Sequence, residues 1–318
     1  MRAPSLVPAT TAAPCEEIER DELDQRLRER LEQSALLLDS RIMEDWAYPG
    51  LAPDALEFPP APEVEDLVSA LDADAPMAWA WANTDMRGQQ DAGPLLAGVR
   101  NDALLEAFSG PWASADGSLL IVSDAPLQAV ADHIGTLRLV GMPDGGEALF
   151  RWNPAKLRGI MEALSPARRA VLLGPAQAMI WRENTGPRHR WWMARNPHKP
   201  EARFAGASRF VFSAEELQRI QQAGHRHFVT GLAFERLAFR NDDDERDTIA
   251  YIERTVAKLS GVNISSEAVI RAMAGLFPWR SQPFDDDALL GAVADTRRSP
   301  EDRLDALRAM EENERTQQ

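Results

Sequence analysis

Apolar positions along this chain recur with two different periods, and the change from one to the other divides it. Glu16 to Gln33 is charged, with Leu23, Leu27 and Leu31 on one narrow stripe, which predicts an N-terminal helix with a thin apolar seam. "ALLLDS" predicts a buried strand ending at Asp39. A proline-rich linker follows (Pro49, Pro53, Pro59, Pro60 and Pro62), then "PMAWAWANT", whose alternation puts Trp79 and Trp81 on one sheet face. From Gly93 the order is regular. "GPLLAGV" reads as a strand, "NDALLEAF" as a helix, "GSLLIVSD" as a buried strand, and "APLQAVADHIGTL" as a helix with Asp124 placed to cap it. "RLVGMPDGGEALFRW" has a turn signal at Asp144-Gly145-Gly146 between apolar runs and predicts a hairpin. A helix over 154–164, a strand in "AVLLGPAQAMIW" and a further strand in "RHRWWMA" complete this part.

After about residue 210 the strand signals stop. Ser213 with Glu216 forms a capping box for a long helix to about Phe239. Further helices are expected from near Asp247, Ser265 or Ser266, Asp285 and Ser299, the last being a cap with proline at the first helical position. The architecture expected is an α/β (α+β) lobe of mixed sheet over 16–210, after a loose tail over 1–15, and then an all-helical lobe over 211–318. In the long helix Leu217, Ile220, Phe228, Leu232 and Phe239 make one apolar stripe, and His227, Thr230, Phe234 and Leu237 make a second. A helix apolar on two sides is either sandwiched between layers or offers one side to a partner.

The stretch "ALFRWNPAKLRGIMEAL", 148–164, joins a strand end directly to an amphipathic helix. Phe150 to Trp152 close the strand, Asn153 caps the helix, and Pro154 sits where its missing N–H costs nothing. Leu157, Ile160, Met161 and Leu164 form the face to be buried. Arg151, read as an inward-facing strand residue, is placed to pair with a carboxylate such as Asp39 or with carbonyls at a strand end. Asp39, Arg151, Asn153 and Pro154 are thus architectural candidates.

Charge narrows the partners. The net charge is −15, and it is spread over both halves, so no basic surface for nucleic acid or an anionic membrane is expected. Cys15 is the one cysteine, which excludes an internal disulfide and a cysteine metal cage and fits a reducing cytoplasm. No window reaches the roughly 18 apolar residues of a membrane-spanning helix.

Catalytic chemistry finds no foothold in the motifs. No G-x-S-x-G elbow is present, and Ser123 reads as a strand-end residue. His225 and His227, two apart on a helix, diverge too far to share a metal. "NDDDERD" lacks the glycine and the final glutamate of a helix–loop–helix calcium site and reads as a solvated helix start, as does "DDD" at 285–287. No phosphate-binding glycine pattern occurs. The expectation is no catalytic residue, no cofactor and no metal.

Five pieces, in order, resemble one family. They are "LLLDSR", "GPLLAGV", "GSLLIVSDAPLQAVADHIGTL", "ALFRWNPAKLRGIMEAL" and "LLGP". Residues 35–182 resemble the type VI secretion effector adaptors, or chaperones, a conserved domain of unknown function encoded next to VgrG-type spike proteins. The fourth piece is close to that family's F-R-aromatic-D-P-x-x-L pattern, with Asn153 in place of the usual aspartate; both residues cap helices. The resemblance implies a bacterial cytoplasmic protein that binds a toxic effector and helps load it onto the spike, with no catalytic residues. It places partner selection in the helical lobe, where His227, Thr230, Phe234 and Leu237 are the candidate contacts. An immunity-type toxin inhibitor, suited by the acidity, and an enzyme with a site at Arg151, Asp39 and His133 are the alternatives.

Overall fold

The central strands of the sheet are apolar over most of their length because both of their faces are covered. The structure, a computed structural model, describes residues 13–20, 22, 23, 25, 33–48, 62–185, 188–197, 209–237 and 244–317. Among the described residues, seven strands form the main sheet in the order β1-β9-β8-β5-β2-β4-β3. They are β1 (Glu16–Ile18), β2 (Ser34–Asp39), β3 (Met77–Trp79), β4 (Pro94–Gly98), β5 (Ser118–Val122), β8 (Ala178–Thr185) and β9 (Arg188–Arg195). The period of two sends Leu37, Leu119, Ile121, Met179, Trp181 and Trp192 to one core. Their neighbours Leu36, Leu38, Leu120, Ile180 and Trp191 go to a second core on the opposite face.

Helices close both cores. On the first face lie α4 (Leu127–Thr136), α5 (Pro154–Ala163) and α6 (Pro166–Leu173). On the second lie α1 (Ser40–Ala47), α2 (Val64–Ser69) and α3 (Asp102–Ser109). Leu157, Ile160, Met161 and Leu164 are all buried, as their spacing predicts. The expected hairpin is present as β6 (Leu139–Gly141) and β7 (Glu147–Leu149), a separate two-stranded sheet.

The α/β lobe followed by helices is as the pattern predicts, but several local expectations change. The sheet registers are antiparallel, not mixed. Glu16–Ile18 is not helical: it pairs with β9, Ile18 opposite Trp191, so an available sheet edge overrides the helical stripe. Leu23 is fully buried, while Leu27 and Leu31 lie outside the described residues, as do Pro49, Pro53, Pro59 and Pro60. Cys15, at the end of the stretch read as a tail, is buried. β3 ends at Trp79 and the chain turns, so Trp81 enters the first core and Trp79 packs at the margin of the second. Asp124 is not the cap of α4, which starts after Pro126; its carboxylate instead accepts from the Gln177 side chain. The run "AVLL" belongs to α6, because Ser165 and Pro166 start a helix there and Gly174, at φ +54°, ends it.

The packing separates two compact units, 1–183 with 190–221 and 184–189 with 222–318. The division falls within α7 (Ala214–Leu237), whose start carries the predicted capping box. Ser213 N–H donates to Glu216 Oε2 at 2.9 Å and Glu216 N–H to Ser213 Oγ at 3.2 Å. The second unit contains α8 (Glu245–Gly261), α9 (Glu267–Ala274), α10 (Asp287–Ala294) and α11 (Pro300–Gln317). Its core joins Phe228, Leu232, Ile252, Met273, Phe277, Phe284 and Leu307. Asp244, Asp286 and Ser299 cap their helices as acidic or hydroxyl residues before a helix should.

Two arginines are buried in this second unit. Arg236 donates to the carbonyls of Ala274, Leu276, Phe277 and Arg280, at and beyond the end of α9. Arg303 donates to Val262 and Val293, at the ends of α8 and α10. Helix C-termini leave carbonyls without intrahelical partners, and a guanidinium presents several donors to collect them. Phe277, buried with φ +55°, is held in the left-handed region inside the Arg236 cluster.

Candidate functional site

The hairpin sheet sets the geometry of the most distinctive surface. Met142 N–H donates to Gly146 O and Phe150 N–H to Arg138 O, each at 2.8 Å. These two pairs fix the ladder, so Val140 and Ala148 exchange hydrogen bonds while the N–H and C=O of Glu147 and Leu149 point away from β6. On the other side of β6, Gly141 bridges Val211 in parallel. One face of this small sheet carries Val140, Phe150, Phe210 and Phe212 into the first core. The opposite face carries Leu139, Leu149 and Val211, with Leu149 45% and Val211 47% exposed.

Beyond Leu149 the chain lines a cleft. Its walls are Leu37 and Asp39 of β2, Trp81, Ala92 to Pro94, and Leu149 to Trp152. Phe150 and Trp152 are buried and meet edge to face with centroids 5.1 Å apart. Gly93 approaches Trp81 so closely that a Cβ there would lie 2.5 Å from the indole. The cleft has room for little more than a water, about 20 Å³.

Asp39 and Arg151, singled out from the sequence, do meet at this cleft. Arg151 Nη1 lies 3.9 Å from Asp39 Oδ2, beyond hydrogen-bond reach. Asp39 Oδ1 accepts from Ile42 N–H at 3.2 Å and caps α1. Arg151 does not face inward: its side chain is 49% exposed, because Phe150 and Trp152 on either side take the two buried positions. Asn153 accepts from Ala155 N–H at 2.9 Å, and buried Pro154 opens α5.

His133 is elsewhere. It is buried, its Nε2 lies 3.0 Å from Leu172 O, and burial lowers its pKa. Its ring fills the space over Gly174, where a Cβ would meet it at 2.3 Å. Ser123, too, is structural: Oγ donates to Pro175 O at 2.8 Å and accepts from Ala125 N–H.

The second stripe of α7 is not an open face. Phe234 is buried, and His227, Thr230 and Leu237 are half-buried. Phe239 and His198 lie outside the described residues. Sequence reasoning missed the cleft wall at Gly93-Pro94 and the added strand-like segment at 209–212. The alternation in "FVF" was the signal for the latter.

Arg168 ties that segment down. It donates to Val211 O, pairs with Glu216 at 2.6 Å and stacks over Phe210 at 4.5 Å.

The chain is therefore a helix-covered antiparallel sheet protein with a narrow aromatic-walled cleft, continued by a helical unit. A family model described as a domain of unknown function (DUF4123) matches residues 59–170. That span holds most of the cleft wall and the 148–164 motif. No curated protein and no solved structure matches the chain. Among the described residues, no helix is long and apolar enough to cross a membrane.

Proposed function

We propose that this chain is a bacterial cytoplasmic adaptor, or chaperone, that binds a cognate type VI secretion effector and promotes its loading onto the VgrG-type spike. The observation that carries this reading is the family match over 59–170. It encloses three of the sequence pieces that resemble type VI effector adaptors, "GPLLAGV", "GSLLIVSDAPLQAVADHIGTL" and "ALFRWNPAKLRGIMEAL". Leu149 and Val211, exposed on one face of the hairpin sheet, are compatible with a binding role. In this reading the role is non-catalytic, and Asp39 in the cleft serves as a helix cap.

The test is co-expression with a toxin-class effector and a VgrG-type spike protein. An adaptor keeps the effector soluble and active and is recovered with both. A second reading, a toxin inhibitor, is favoured by the net charge of −15. It predicts instead a complex in which the toxin's activity is lost and the spike is absent.

A further inference from the structure

We propose that the distal turns of α11, from Met310 onward, form a salt-sensitive latch over Trp279 that opens without the rest of the helical unit. The proposal stands on this unit alone and does not depend on what the chain binds.

The two halves of α11 are held by different forces. In the first half Leu304 and Leu307 are buried in the core of the helical unit, and buried Arg303 donates to the carbonyls of Val262 and Val293. Between Arg308 and Gln317 the apolar side chain packed against that core is Met310, half-buried. What holds the rest is charge. Arg280 Nη2 donates to Glu314 Oε1 at 2.7 Å, and its Nη1 to Asp286, the cap of α10, at 2.9 Å. Arg315 lies over the Trp279 ring at 5.3 Å and pairs with Glu311, one turn back, at 3.2 Å. Arg280 and Glu314 are both partly exposed. Such a pair stabilises little, and it weakens as salt shortens the Debye length, whereas screening leaves apolar burial in place. A helix end held in this way opens far more easily than the unit it belongs to. Beneath Arg315 sits half-buried Trp279, edge to face with Phe277 at 5.8 Å, its indole N–H covered and without an acceptor. A covered donor left unpaired is a cost, and opening the latch returns it to water. The Arg280 backbone stays in place while its side chain lets go, because its carbonyl accepts from Arg236. Opening thus bares Trp279 and Met310 together, an apolar surface that the closed helix hides.

The test is hydrogen exchange followed by NMR on the full chain at about 0.01 M and about 1 M salt, between which the Debye length falls from about 30 Å to about 3 Å. The amides of 311–317 are expected to exchange faster than those of Leu304 to Leu307 in both. At high salt they should exchange about threefold faster still, as the loss of a partly exposed ion pair implies, while the Leu304 to Leu307 amides hold their rates. Glu314→Gln keeps the shape of the side chain and removes its charge. It is expected to speed the same distal amides about threefold at low salt and to erase their response to salt, with the thermal melt retained. The indole N–H of Trp279, assigned by its absence in Trp279→Phe, is expected to exchange in step with 311–317. Equal rates in the two halves of α11, no response to salt or to Glu314→Gln, or an indole N–H that stays protected while those amides exchange overturns the proposal. Distal amides that exchange as in an unstructured chain already at low salt overturn it too, since no latch is then closed.

Discussion

The two units satisfy buried backbone in opposite ways. In the sheet unit, the N–H and C=O groups of the central strands are taken up laterally by their neighbours, as from Ala35 opposite Gly98 through Leu38 opposite Leu95. Side chains are then free to be apolar on both faces, and two cores result. The helical unit has one core, and helices end inside it. Carbonyls at those ends are buried, and Arg236 and Arg303 supply the donors. The lesson is that polarity in a core follows from the element that builds it: a helical core needs cations at its seams where a sheet needs them seldom. Arg169, which donates to Met161 and Leu164 at the end of α5, shows the same need arising in the sheet unit at a helix end.

The largest expected effect breaks that comparison at its most connected point. Arg236→Met leaves several buried carbonyls without donors, each costing about 1–3 kcal/mol, so a loss of about 3 kcal/mol or more is expected. Amide exchange should show it in the helical unit; equal loss in both units would contradict the account. Gly174→Ala forces a Cβ into the His133 ring at a left-handed position, and about 2–3 kcal/mol should be lost from the sheet unit in a denaturant melt. Arg169→Met, with two carbonyls at stake, should cost about 2 kcal/mol, less than Arg236→Met.

A smaller effect depends on pH. Burial lowers the His133 pKa below its ordinary 6.5, so the unfolded chain takes up this proton first. The stability tied to its neutral form is complete above about pH 6.5 and declines as the pH falls below that value. His133→Gln should flatten this part of the stability-against-pH curve, whatever it costs at pH 8. The smallest perturbation is chemical labelling of Cys15. Burial, with the charge of Glu162 adding to it, pushes the thiol pKa up to about 12. Alkylation at neutral pH should be slow until the sheet unit opens, and fast modification of the native protein would place Cys15 outside the core.

Much of this was legible in the sequence where local signals and tertiary needs agreed. The hairpin at Asp144 to Gly146, the Asn153-Pro154 helix start, the Ser213–Glu216 box and the Ser299 cap are short-range chemistry and appear as expected. Failures came where a distant partner decided. Glu16–Ile18 became a strand because β9 offered an edge, and Asp124 was drawn from the α4 start by Gln177. "AVLL" has no period that tells a buried helix from a strand, and the Ser165-Pro166 start signal should have settled it. Of the site, the Asp39–Arg151 meeting was legible from the motif. The outward face of Arg151 and the burial of Phe234 were not, since both depend on what packs against them. The outward N–H and C=O groups of β7 appear only once the ladder is known.

The most direct test of the central claim is size-exclusion chromatography with light scattering on mixtures of this chain, a toxin-class effector and the VgrG-type spike protein. The account predicts that effector and spike elute together only when this chain is present, with the effector still toxic after release. An effector that joins the spike equally well without it, or a chain that elutes alone from every mixture, would contradict the account.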